Sequence, residues 1–193
     1  GPSQMALEDL AMMSAEPNMT VLYPSDAVCA ERLVALAAYH PGPVYIRTSR
    51  PKTPVIYAND APFAIGGSTV LRQSAADVAT VIGAGVTLFE ALKAYDLLAA
   101  EGVAIRVIDA YSIQPIDVET MRTAAAETGR LLTVEDHYAV GGLGDAVARA
   151  VAPVGAVVTR LCVREIPRSG TPAELIHYYG LSAQKIAEAV RAR

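Results

Sequence analysis

Hydrophobic and polar positions along this chain alternate between two rhythms: short unbroken apolar runs, and longer stretches carrying a single apolar stripe. Met5, Leu7, Leu10, Ala11 and Met13 fall at helical spacing, with Ser3 at the N-cap position and Pro17 as the stop, so a first helix is expected there. Met19 to Tyr23 is a β-favouring run halted by Pro24, and Ser25 or Asp26 can cap a second helix striped by Ala27, Val28, Ala30, Leu33, Val34 and Ala37. Val44 to Thr48 is the next strand. Strand, helix and strand joined by short links are the grammar of a parallel α/β layer.

Between Ser49 and Gly67 the rhythm stops, with Pro51, Pro54, Pro62 and the pair Gly66-Gly67. Proline and glycine break ladders and helices alike, so this segment is expected to be a linker over the surface. A new series starts at Ser68. Strands are expected at Val70-Leu71, Val78 to Gly83, Val103 to Ile108, Leu131 to Val134 and Val157 to Val163, and helices at Thr87 to Ala100, Asp117 to Glu127, Asp145 to Val151 and Ser182 to Arg191. Continuous apolar strands are buried on both faces. The second unit therefore reads as a complete three-layer α/β/α domain on a mostly parallel sheet, and the first as the end of another α/β domain. The expected division is 1–50, a linker at 51–67, and 68–193.

Length and composition agree with this. The chain has 193 residues, of which 52% are hydrophobic and 19% charged, enough to bury a core without metal or disulfide staples. Cys29 and Cys162 lie far apart with no metal or redox spacing and read as reduced, buried thiols of a cytoplasmic protein. A net charge of −4 argues against nucleic acid or an anionic membrane as the main partner, and no apolar run is long enough to span a bilayer. Gly1 is not an initiator residue, and Gly1-Pro2 suits the remnant of a cleaved tag as well as an internal stretch of a longer protein. Because helical spacing is under way by Met5, the chain is expected to begin inside a structured region.

Several segments carry candidate chemistry, each beside a plainer alternative. Gly83-Ala84-Gly85 follows a strand and precedes a helix, with Asp109 ending a later strand, a spacing that imitates a dinucleotide fingerprint. Leu88 stands where the third glycine belongs, and a tight turn explains the first two glycines as well. Glu135-Asp136-His137 lies at a strand's carboxyl end before Gly141-Gly142-Leu143-Gly144. There a carboxylate can orient an imidazole for acid–base work; the favoured reading, with no nucleophile or metal cluster nearby in sequence, is loop capping and interface pairing. Arg47 and Arg50 flank Thr48-Ser49 at another strand end, which suits a phosphate or a solvated surface. Arg164, Arg168 and Ser169 read as surface or interface, and His40 and His177 as structural.

Taken in order, the segments Gly1 to Leu10, Tyr23-Pro24-Ser25-Asp26, Ile46-Arg47-Thr48-Ser49-Arg50-Pro51, Val81 to Leu88, Thr133 to Tyr138 and Pro167-Arg168-Ser169-Gly170 resemble the C-terminal third of a transketolase. Gln4, where many bacterial members carry histidine, resembles the animal branch. The resemblance spans essentially the whole chain. It implies that residues 1–50 end a thiamine-diphosphate-fold pyrimidine-binding domain, and that 68–193 form the family's C-terminal domain, with Gly83-Ala84-Gly85 as a structural turn.

The function implied is transfer of a two-carbon ketol unit between phosphorylated sugars, in the pentose phosphate pathway, by a cytoplasmic homodimer using thiamine diphosphate and magnesium or calcium. By the same resemblance Arg50 is a substrate-phosphate ligand, Gln4 approaches the substrate's reacting end, and Ser49 is a weaker candidate beside them. The cofactor ligands, metal ligands and catalytic histidines of the family belong to a portion upstream of Gly1. The chain alone is thus expected to be inactive and to bind neither cofactor nor metal, requiring the missing N-terminal domains as partner, whether it is shortened by design, by proteolysis or by a split gene. The alternatives are a non-catalytic interaction or regulatory module of the same fold, or another thiamine enzyme such as a deoxyxylulose phosphate synthase or the β part of a 2-oxo acid dehydrogenase. A nicotinamide-binding protein is a minor one.

Overall fold

The computed structural model describes residues 6–50 and 52–192. The first unit contributes helix α1 (Asp9–Ala15), strand β1 (Thr20–Leu22), helix α2 (Ala27–Tyr39) and strand β2 (Val44–Ile46). Asp26 caps α2 by accepting the Cys29 N–H at 2.8 Å, one of the two caps the sequence offered. The cap proposed at Ser3 lies outside the described residues. The helix expected from Met5 is observed from Asp9, the chain arriving through Ala6 at φ +43.

After a segment without helix or strand come β3 (Thr69–Arg72), β4 (Thr80–Gly83), α3 (Val86–Ala100), β5 (Arg106–Asp109), β6 (Ser112–Gln114), α4 (Val118–Thr128), β7 (Leu131–Tyr138), α5 (Leu143–Val151), β8 (Val158–Val163), α6 (Pro172–Tyr178) and α7 (Ala183–Arg191). The main sheet has the order β3-β5-β4-β7-β8, with β5, β4, β7 and β8 parallel and β3 antiparallel at the edge. Every residue of β4 and β5 is buried, as unbroken apolar strands require when both faces are covered.

Two apolar layers sandwich this sheet. On one face α3 sets Leu88, Ala91 and Leu98 against Ala183, Ile186, Ala187 and Val190 of α7, an i, i+3, i+4, i+7 stripe. On the other, Met121 and Ala124 of α4 meet Ala146, Val147 and Ala150 of α5, and Leu10 of α1 joins them. The result is the mostly parallel three-layer α/β/α arrangement expected from the sequence.

A short second sheet, β2-β1-β6, ties the units together: β1 pairs in parallel with β2 and antiparallel with β6. Strand β6, which carries no recognisable pattern of its own, therefore belongs to a sheet begun some ninety positions earlier in the chain. The connecting segment is pinned as well as extended. Asp26 Oδ2 accepts the N–H groups of Ile56 and Tyr57 at 2.7 and 3.0 Å, and Tyr57, Phe63 and Tyr111 stack edge to face with centroids 4.9 and 5.0 Å apart.

Candidate functional site

In an open α/β sheet, ligands enter the crevice at the carboxyl ends of two neighbouring strands whose following helices leave to opposite faces. Here those strands are β4 and β7, because α3 packs on one face and α5 on the other. The crevice mouth is formed by Gly83-Ala84-Gly85 and Glu135-Asp136-His137, two of the motifs singled out above.

Both motifs are satisfied by the chain itself. The Tyr23 ring from the end of β1 lies so close to Gly85 that a Cβ there would stand 2.0 Å from its Cζ. The Tyr23 hydroxyl donates to Asp136 Oδ2 at 3.1 Å and receives the Val86 N–H at 3.5 Å. At the second motif, Gly144 donates its N–H to Glu135 Oε1 at 3.0 Å and Gly141 donates to Asp145. The helix-start N–H groups that could hold a diphosphate are thus engaged by a phenol and by carboxylates of this chain, and among the described residues no group of three or more His, Cys, Asp or Glu converges as a metal site. The described residues do not fit a thiamine diphosphate cradle.

Around Tyr23 lies a charged cluster joining the units. The Arg47 guanidinium, its side chain 11% exposed, pairs with Asp136 Oδ1 at 3.3 Å and Asp9 Oδ2 at 3.3 Å. It also donates to the Asp136 carbonyl at 3.0 Å and stacks 4.7 Å from the Tyr23 ring centroid. Tyr45 donates its hydroxyl to Asp9 at 2.7 Å, and burial with that carboxylate beside it pushes the phenol up to about 12. Burial and the Asp136 charge likewise raise Tyr23, so both phenols remain donors at neutral pH.

His137 is fully buried, and burial lowers its pKa. With Nδ1 2.7 Å from the Tyr138 carbonyl and Nε2 receiving the Ala11 N–H at 3.3 Å, the ring holds its proton on Nδ1 and has no free nitrogen for proton transfer. Burial pushes Glu135 up to about 8 against the N–H groups of Gly144 and Leu143, and its Oε2 has no hydrogen-bond partner among the described residues. Asp109, the acid of the dinucleotide-like spacing, is also buried. Its Oδ2 accepts the hydroxyls of Ser25 and Tyr57 at 2.7 and 2.8 Å, and burial pushes it up to about 7. Asp109 thus ties the first unit and the linker to the second, Glu135 closes the glycine turn within the second unit, and both carboxyls are buried.

A cleft of about 1070 Å³ is bounded by Arg47, Ser49, Lys52, Phe89, Asp136 and Ile176, among others. Of the residues singled out from sequence, Ser49 reaches this cleft, Arg50 is exposed next to it and does not line it, and Gln4 lies outside the described residues. His40 bonds Thr20 and His177 bonds Ser182, each at 3.0 Å, in keeping with structural roles. Both cysteines are buried and free. Arg168 stacks on Tyr178 at 4.0 Å from its ring centroid, at the surface. No helix of the described residues is long and apolar enough to cross a membrane.

Comparison with known proteins bears on what such a site serves. Residues 67–186 match the family description "Transketolase, C-terminal domain", and residues 1–55 match "Transketolase, pyrimidine binding domain". The chain is 54% identical over 193 residues to a transketolase-like protein 2 of Mus musculus and 52% identical over 193 residues to a transketolase of Homo sapiens, covering 99% of this chain and 31% of each relative. It thus spans about a third of those relatives' length. Among solved structures it superposes with a TM-score of 0.91 at 38% identity on one described as a split gene transketolase, inactive beta4 tetramer, covering 99% of this chain and 62% of the other. A transketolase from Campylobacter jejuni matches at TM-score 0.77 and 17% identity over 100% of this chain and 29% of its own, a likeness of fold.

Proposed function

From a chain that belongs to the transketolase family, we infer that it serves as the C-terminal portion of an enzyme moving two-carbon ketol units between phosphorylated sugars. The cofactor and its divalent metal, magnesium or calcium, are held by domains upstream of Gly1. In this reading residues 1–50 complete the pyrimidine-binding domain, 51–67 link, and 68–193 are the C-terminal domain. The observation that carries the reading is identity of about half over the full chain with named transketolases.

Within this reading Arg50 binds the substrate phosphate. A guanidinium at the carboxyl end of β2, exposed beside the cleft that Ser49 lines, has the fork geometry and permanent charge that phosphate recognition needs. Ser49 supplies a hydroxyl beside it, and Gln4 contributes an amide near the reacting end, where it can donate but cannot shuttle a proton. The assembly is a cytoplasmic homodimer of the pentose phosphate pathway, and two free cysteines suit that compartment. Replacing Arg50 by Ala in the assembled enzyme is expected to weaken sugar-phosphate binding about 10- to 150-fold, the worth of a charged hydrogen bond. An unchanged KM would remove Arg50 from the site.

One observation favours a second reading, a non-catalytic module of the same fold: the similar split-gene structure is described as inactive in its beta4 form. Adding the upstream domains separates the two, restoring ketol transfer under the first reading and changing nothing under the second.

A further inference from the structure

The crevice where a three-layer α/β sheet ordinarily takes a ligand is filled here by Tyr23 and Arg47, two side chains of the first unit. What this plug holds in place is legible from the hydrogen bonds along the chain. Arg47 is fixed at both ends: its backbone N–H donates to the Leu22 carbonyl at 2.9 Å, extending the β1–β2 ladder, and its guanidinium is held by Asp136 and Asp9. The next fixed points downstream are the N–H groups of Ile56 and Tyr57 on Asp26. Between them, residues 48–50 and 52–55 make no hydrogen bond to another described residue. Arg47 is therefore the last anchor before Ser49 and Arg50, and its principal partner, Asp136, belongs to the other unit.

We propose that Asp136 is a positioning residue for the Ser49–Arg50 end of β2, so that the second unit, through the Asp136–Arg47–Tyr23 plug, sets where the phosphate-binding arginine stands. The inference rests on the reading of Arg50 as a phosphate ligand. Asp136 grips Arg47 twice, through Oδ1 and through its own main-chain carbonyl, at 3.3 and 3.0 Å. Tyr23 occupies Oδ2 and the open face of the guanidinium, leaving Arg47 one orientation. Only Thr48 and Ser49 separate this clamp from Arg50, so at about 3.6 Å per residue the Arg50 backbone stays within about 11 Å of Arg47 and moves with it.

The test uses this chain assembled with the upstream transketolase domains. Asp136→Asn keeps the size and the main-chain acceptor and removes the charge. It is expected to raise KM for an aldose phosphate about three- to tenfold, to leave KM for the corresponding unphosphorylated aldose unchanged, and to leave kcat within about twofold. Tyr23→Phe, which removes one bond to Asp136 and keeps the ring, should shift the same KM in the same direction by less. Equal rises for both aldoses, or a fall in kcat at constant KM, would overturn the proposal, because general loosening does not distinguish a phosphate. Arg50→Ala measured alongside separates the two claims: if it leaves the phosphate preference intact, the assignment of Arg50 fails. Amide exchange in the chain by itself then judges the clamp. Asp136→Asn should speed exchange at the Arg47 N–H about tenfold or more, as loss of a charged hydrogen bond implies, with β4 unchanged; no change at Arg47 would refute the clamp whatever the assembled enzyme does.

Discussion

Replacing Gly85 by Ala tests how tightly the crevice is filled. Gly85 has φ +53 and ψ −126, a conformation that costs a residue bearing a Cβ roughly 1–3 kcal/mol. The new methyl would also stand 2.0, 2.2 and 2.5 Å from three carbons of the Tyr23 ring, which is only 2% exposed. The ring cannot swing outward without leaving Asp136 and the face of Arg47, so overpacking adds roughly 1–3 kcal/mol more. The expected loss is about 2–6 kcal/mol, which for a chain of this size lowers Tm by several degrees at least, at roughly 2–4 °C per kcal/mol.

Urea unfolding followed by circular dichroism reads this loss directly. Gly102→Ala is the control: its φ is +75, yet nothing lies within 4 Å of the added methyl, so it should show the left-handed backbone cost alone, about 1–2 kcal/mol. The excess of Gly85→Ala over that control combines the rarer backbone conformation of Gly85 with the clash against Tyr23, and combining it with Tyr23→Ala should recover the part due to the clash, a coupling that independent sites do not show. A Gly85→Ala variant no less stable than the Gly102→Ala control would refute the filled crevice.

The buried carboxyls give a pH signature. Asp109 is raised to about 7 by burial, above its unfolded value near 4, so its contribution to stability is fully present below about pH 4 and is lost as pH rises to about 7. At 1.36 kcal/mol per unit this amounts to a few kcal/mol, and Asp109→Asn should gain on the parent by that order in denaturant melts between pH 5 and pH 8; parallel curves would contradict it. Arg47→Ala leaves Asp9 and Asp136 buried without their shared cation, and a loss of about 3–5 kcal/mol is expected in the same assay. A loss under about 1 kcal/mol would mean that the cluster is solvated.

Periodicity made most of this fold legible, and the elements it missed have physical reasons. Strand β6 spans three residues, Ser112–Gln114, too few to show alternation, and its partner β1 is remote in sequence. Helix α6 has no buried residue and therefore no apolar stripe; its start is marked instead by Thr171, Pro172 and Glu174, a complete capping box with proline in the first turn. Strand β7 runs on through Glu135, Asp136 and His137 to Tyr138, past the end of the apolar run, because those polar side chains find partners in the first unit and across the glycine turn. The site residues were visible separately. Arg47 and Asp136 both stood out at strand ends, yet nothing in a single sequence pairs positions 89 apart. Asp109 drew notice for a spacing that mimics a ribose-binding acid, whereas its partners are Ser25 and Tyr57.

Ketol transfer, measured with this chain alone and again after joining it to transketolase domains supplying the upstream portion, tests the central claim most directly. The account predicts no turnover by the chain alone and, in the assembly, thiamine diphosphate-dependent transfer that Arg50→Ala weakens through KM for the sugar phosphate. Turnover by the chain alone, or an assembly that binds both portions and remains inactive, would contradict it.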